Sequence, residues 1–198
     1  MSKSEFIKHY YVSHETLDKL SEYVDLLLKW NAKINLISKN SVDDIWIRHV
    51  LDSAQVMQRV DKSEKILDVG SGAGLPGVIL SILGVENITL VDSDQRKCSF
   101  LLEVARSLDL KLRVINDRVE NICDQEFGVV TARGFASIDR VFKEVAHIKS
   151  NKILLLKGKN HESDIQEALQ RWEFEYITYP SITNFSSYIL DITNVRKK

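Results

Sequence analysis

The chain has 198 residues, enough for one core-forming domain and a modest extension. Its 27 Lys and Arg against 28 Asp and Glu leave a formal net charge of -1. With 44% hydrophobic and 28% charged residues, the composition excludes a disordered tail or a fibre. The balance also excludes a protein that coats nucleic acid by bulk positive charge.

The first sixty residues read as helical. Leu17, Leu20, Val24, Leu27 and Leu28 form one apolar stripe, and Ile47, Val50, Leu51, Ala54, Met57 and Val60 form a second. Only the polar turn Ser38–Ser41 separates them, and no glycine or proline precedes Gly70. The opening residues, from Met1 to Glu5, carry no apolar run of the signal-peptide kind. The longest uncharged stretch, Val69 to Val85, holds five glycines and a proline, so it is no membrane helix.

From Lys65 the texture changes to short runs of Val, Ile and Leu alternating with amphipathic segments. Strands are expected at Lys65–Val69, Ile88–Asp92, Leu112–Asn116, Val129–Ala132, Ile153–Lys157, Phe174–Tyr179 and Tyr188–Thr193. Helices are expected near Pro76–Leu83, Arg96–Leu108, Ile138–His147 and Ser163–Arg171. That alternation predicts an α/β fold with a parallel sheet covered on both faces. The short link between the last two strands predicts that one of them runs antiparallel. The expected organisation is a helical cap over residues 1–62 and an α/β unit over 63–198.

Four of the eight glycines fall between Gly70 and Gly77, in a strand–turn–helix context. Two phases of the motif compete. Gly72-Ala-Gly74-Leu-Pro-Gly77 fits a dinucleotide turn, and Asp68-x-Gly70-x-Gly72-x-Gly74 fits the first motif of S-adenosylmethionine (SAM) methyltransferases. The second phase puts a glycine directly after the strand, as the turn requires. It also puts Asp68 where a carboxylate suits the cationic aminoacyl end of SAM and repels a pyrophosphate. Asp92, about twenty residues on at the next strand end, suits ribose hydroxyls of either cofactor. Cys98 and Cys123 lack metal or redox spacing and read as free thiols, and the five histidines are scattered, so no metal is expected.

The motifs Trp30-Asn31-x-x-x-Asn35-Leu36, Arg48-His49-x-x-Asp52-Ser53, Asp68 to Gly77, Leu90-Val-Asp-Ser93, Phe100-Leu101, Arg118-Val-Glu120, Ala132-Arg133 and Leu156-Lys-Gly158 occur in one order and spacing. On these the chain resembles the bacterial small-subunit ribosomal RNA guanine-N7 methyltransferases, the glucose-inhibited division protein B family. The resemblance implies a class I SAM-dependent methyltransferase, a Rossmann-like seven-stranded sheet with an N-terminal helical extension. It implies methyl transfer from SAM to N7 of a guanine in 16S rRNA, with S-adenosyl-L-homocysteine as product. The partner is then naked 16S rRNA or the small ribosomal subunit, and the expectation is a cytoplasmic monomer with neither membrane nor metal.

By position the resemblance carries over Gly70, Leu75, Val119, Glu120 and Arg133 as cofactor contacts. Asp68, Gly72, Gly74 and Asp92 join them on the physical reading. Arg133, at a strand end, is the expected catalytic residue, pairing with the cofactor carboxylate or with guanine's acceptor edge. Gly134 stands where the family usually has Ala, and Gln95 precedes Arg96-Lys97. Lys157 has two readings, a phosphate contact or a charge closing the fifth strand. Arg48 and Asp52 read as an i,i+4 salt bridge. Asn31, Asn35 and His49 read either as a polar helix face or as the entrance over the cofactor, touching RNA. Trp30 and Trp46 read as core packing. The basic candidates for RNA are Arg96, Lys97, Arg106, Lys111, Arg113 and the tail Arg196-Lys-Lys198; a solvated helix face is the simpler reading of the first five. A methyltransferase with another acceptor, an NAD-dependent oxidoreductase and a non-catalytic RNA-binding module stay open on the residues alone. The oxidoreductase lacks an evident Tyr-x-x-x-Lys.

Overall fold

The computed structural model describes residues 3–123 and 125–198; Met1 and Ser2 of the opening segment lie outside them. A seven-stranded sheet has the order β3-β2-β1-β4-β5-β7-β6. Its strands are β1 (Lys65–Val69), β2 (Asn87–Asp92), β3 (Leu112–Asn116), β4 (Glu126–Arg133), β5 (Lys149–Lys157), β6 (Trp172–Pro180) and β7 (Tyr188–Lys197). The first five are parallel, and β7 runs antiparallel to both β5 and β6. The antiparallel expectation thus falls on the last strand. The strands from β4 on extend beyond the predicted apolar runs, because pairing continues through polar ends such as Glu126 with Lys149.

Central strands are buried on both faces, and successive residues feed two different cores. Ile66, Leu90, Val129 and Leu154 join one core; Leu67, Val91, Val130 and Leu155 join the other. The first core is closed by α1 (Lys3–His9), α2 (His14–Asn31), α4 (Gly77–Ile82) and α5 (Gln95–Ser107). The second is closed by α6 (Ile138–Val145) and α7 (His161–Leu169). The N-terminal helices therefore share one core with a sheet face. Asp94 and Ser137 cap α5 and α6 by accepting from backbone N–H groups of Arg96 and Arg140.

The second predicted stripe is helical but irregular. Trp46–Leu51 is a π-helical segment, Asp52–Ala54 is a short α-helical turn (α3), and Gln55–Arg59 is a 3-10 segment. Such departures move side chains off the 3.6-residue spacing and are frequent at functional sites. Among the described residues, no helix is long and apolar enough to cross a membrane.

Candidate active site

Strand order reverses between β1 and β4, and open α/β sheets bind ligands just beyond the strand ends at such a point. Here β1 ends in the turn Gly70–Pro76, where Gly70, Gly72 and Gly74 have φ of 63, 55 and 82°. Only glycine takes this left-handed backbone without strain. A Cβ on Gly70 would also sit 2.1 Å from the Phe135 ring, so the glycine admits that close approach.

The turn is pinned from three sides. Ser71 exchanges backbone and hydroxyl hydrogen bonds with Val91 on β2, its N–H donating to the Val91 carbonyl at 3.0 Å and its Oγ accepting from the Val91 N–H at 3.0 Å. Tyr23 of α2, fully buried, donates its hydroxyl to the Ala73 carbonyl at 2.7 Å. Asp68 lies beneath the turn with 0% exposure, accepting from the Gly77 N–H at 3.0 Å and the Thr131 hydroxyl at 3.0 Å. Burial pushes its carboxyl up to about 7, against the hydrogen bonds that favour the charge. The carboxylate read as facing the cofactor thus points inward and holds the turn to α4 and β4. The physical reason is the start of α4, whose N–H groups supply the partner that a ligand ammonium was expected to be.

A cleft of about 270 Å³ opens beside the turn. Gly70, Asp92, Val119 and Glu120 line it, with Phe135 and Lys97. Asp92 is 7% exposed, and its oxygens accept from the N–H groups of Gly72 and Asp94, each at 2.9 Å. A carboxylate offers about four acceptor positions, so capacity remains on the cleft side. Glu120 is exposed on the 3-10 turn Val119–Asn121. Gly72, Gly74 and Leu75 shape the turn without lining this cleft.

Arg133 ends β4 one residue before Gly134 and lines two neighbouring clefts of about 250 and 360 Å³. Its Nε donates to Asp52 Oδ2 at 2.9 Å, Nη1 to His49 Nδ1 at 3.1 Å and Nη2 to the Arg48 carbonyl. Arginine carries no acceptor, so His49 Nδ1 must be the unprotonated ring nitrogen and Nε2–H donates to Ser41 Oγ at 2.8 Å. Burial, then the Arg133 and Arg48 cations, push the His49 imidazole down to about 3. Asp52 Oδ1 also accepts from Gln55, Ser181 and Thr183. The expected Arg48–Asp52 pair is replaced: the π-helical segment turns Asp52 onto Arg133, and Arg48 donates to the Asn40 carbonyl.

Lys157 pairs with Asp164 at 2.5 Å and donates to the Ala136 carbonyl, the arrangement of a charge that closes a strand end. Asn31 Oδ1 accepts from the Leu36 and Ile37 N–H groups, which makes it a turn-former, and Asn35 is exposed. Trp30 packs on Phe100 and Trp46 on Phe6, as core residues do. Arg96 pairs with Asp94, and Arg113 bonds Gln125. The tail residues Arg196 and Lys197 end β7 beside Glu173 and Trp172, at the far end of that strand from Tyr188, which pairs with Lys157. Both cysteines are free, Cys98 buried and Cys123 exposed. Among the described residues no group of three or more His, Cys, Asp or Glu is placed to hold a metal ion.

Sequence reasoning missed Tyr23, Thr131, Phe135 and the Ser181–Thr183 contacts. Each reaches the site across 50 or more positions of chain or by packing alone, and none has a local pattern.

The family model described as GidB, rRNA small subunit methyltransferase G, matches residues 16–192. A ribosomal RNA small subunit methyltransferase G of Rickettsia prowazekii is 41% identical over 188 residues, which is 94% of this chain and 98% of that protein. One of Orientia tsutsugamushi is 43% identical over 189 residues, or 93% of each. Among solved structures, a Pyrococcus abyssi tRNA (uracil-54, C5)-methyltransferase in complex with S-adenosyl-L-homocysteine shares the fold at TM-score 0.55 and 14% identity, covering 73% of this chain and 38% of that one. A switch-point cleft under a glycine turn and a family match over nearly the whole chain agree: the chain belongs to the rRNA small subunit methyltransferase G family.

Proposed function

We propose that this protein transfers a methyl group from SAM to N7 of a guanine in 16S rRNA. The observation that carries the reading is the cleft at the end of β1 and β2, lined by Gly70 and by four acidic residues, Asp92 and Glu120 among them. Asp92, with acceptor capacity left, suits ribose hydroxyls, and exposed Glu120 suits an exocyclic amine, so the residues fit the group. When bound, SAM supplies a methyl already activated by the sulfonium charge.

The protein's own work is then orientation and exclusion of water. Guanine N7 carries a free lone pair, so no side chain need remove a proton before attack. Arg133 is held by three hydrogen bonds one residue from the cleft, so its cation is fixed before any acceptor arrives. A fixed arginine donates to the O6 and N7 edge of a guanine or to a carboxylate. His49, kept neutral, accepts from Arg133 and adds no competing cation.

The test is transfer of labelled methyl from SAM to unmodified small ribosomal subunits and to naked 16S rRNA. Label at one guanine N7 is expected. Binding of S-adenosyl-L-homocysteine with no label on either RNA would leave a methyltransferase of another acceptor.

A further inference from the structure

The segment between β6 and β7, residues 181–187, reads Ser-Ile-Thr-Asn-Phe-Ser-Ser and carries no charge. It is held closely. Ser181 and Ser187 bond across the loop at 2.8 Å, Ser187 N–H donates to the Asn184 carbonyl, and Ile182 N–H donates to Gln55 Oε1. The hydroxyls of Ser181 and Thr183 both end on Asp52, which is the residue that anchors Arg133. On this fixed frame Phe185 stands 99% exposed. None of the hydrogen bonds that order the loop uses that ring, and holding an aromatic in water gains no burial.

The loop forms one wall of the 360 Å³ cleft; Ile47, Arg48 and Asp44 form the other, and Arg133 and Asp52 lie within it. That cleft adjoins the smaller one through Arg133, Asp52 and Ser187, and the smaller one reaches the cofactor cleft through Gly134. The three clefts thus share lining residues in series from the glycine turn to Asn184, the residue before Phe185. The Ser187 hydroxyl, the Asn184 amide, Arg48, Arg133 and the exposed Phe185 ring are groups of the kinds that hold unstacked nucleotides: polar donors for phosphate and sugar, a π-face for a base.

We propose that residues 181–187 are an RNA-docking element, in which Phe185 stacks on an unpaired base beside the acceptor guanine and the Arg48–Asn184 cleft takes the adjoining sugar and phosphate. This rests on the ribosomal RNA reading and adds to it where on the chain the RNA is gripped.

The experiment compares the unsubstituted chain with Phe185→Ala and Phe185→Trp on small ribosomal subunits. One lost stack is expected to raise KM for the subunit roughly tenfold with kcat within about twofold. The Kd for S-adenosyl-L-homocysteine is expected to stay unchanged. Phe185→Trp is expected to restore KM and to lose fluorescence as 16S rRNA is added, which a merely structural loop residue would not do. An unchanged KM in Phe185→Ala, or quenching by RNA-free ribosomal proteins and not by RNA, overturns the proposal. If the unsubstituted chain methylates no RNA, the acceptor reading fails by itself, and quenching of Phe185→Trp by 16S rRNA still supports the docking loop.

Discussion

Two regions flank β4, and they are built in opposite ways. The glycine turn is local: within residues 68–77 the backbone conformation, the buried carboxylate and the helix start complete one another. The Arg133 hub is assembled from afar, joining residues 41–55, 133 and 181–183 through side chains. In the turn the carboxylate Asp68 serves backbone N–H and hydroxyl groups; in the hub the carboxylate Asp52 serves a cation. The first arrangement shapes a cavity wall, and the second fixes a charge at its rim. Breaking the first should therefore register as lost stability, and breaking the second as lost turnover.

The largest expected effect tests the turn. Asp68→Ala strands the Gly77 N–H and the Thr131 hydroxyl in a fully buried place, which costs about 3 kcal/mol. Urea unfolding checks it, and a loss below about 1 kcal/mol would mean that the turn holds without its carboxylate. Next comes the hub. Arg133→Lys keeps the charge but not the three-pronged geometry, so kcat/KM should fall about 10- to 100-fold. Equal loss in unfolding free energy would show that the hub is structural after all.

The two regions also titrate in opposite directions. Asp68 is raised from 3.8 to about 7, so the native state binds the extra proton between those values and stability falls as pH rises through that window. His49 is lowered from 6.5 to about 3, so the unfolded state binds the extra proton and stability is lost as pH falls from 6.5 toward 3. Between pH 4 and 6.5 the two slopes oppose each other. Asp68→Asn should make the stability slope more positive by about 1.4 kcal/mol per pH unit, and His49→Gln more negative by about the same. Denaturant unfolding at pH 4.5, 5.5 and 6.5 reads both.

The smallest expected effect lies at the joint between the regions. Gly134 has φ 61° with nothing within 4 Å of a Cβ, so Gly134→Ala meets left-handed strain and no clash. A stability loss of about 1 kcal/mol is expected by thermal unfolding. Gly134 is thus the residue that relaxes the backbone between Arg133 and Phe135.

The same contrast explains what the sequence disclosed. The strands, the crossover helices and the turn were legible because each rests on spacing within a dozen residues: short apolar runs alternating with amphipathic segments, and glycines in phase with a strand end. The direction of Asp68 was not, since its partners arise only when α4 and β4 close over it. Nor was the Asp52–Arg133 pair, 81 positions apart, which an ideal-helix spacing assigned to Arg48. The π-helical segment carries Ile47, Val50 and Leu51 at the spacing of an ordinary helix, so its apolar pattern does not mark it. Phe185 and Tyr23 were ordinary letters until the fold put one in solvent and the other under the turn.

The Tyr23 hydroxyl makes the motif region dependent on a helix fifty residues upstream. A shortened chain starting at Lys65 would retain every glycine and both acidic residues of the turn and strand ends. Water would stand where the Tyr23 ring now fills the space beneath Ala73, and the α4 and α5 faces that α2 covers would be bare. Removing the first helices is thus an operation on the cleft beside the glycine turn, although none of their residues lines it.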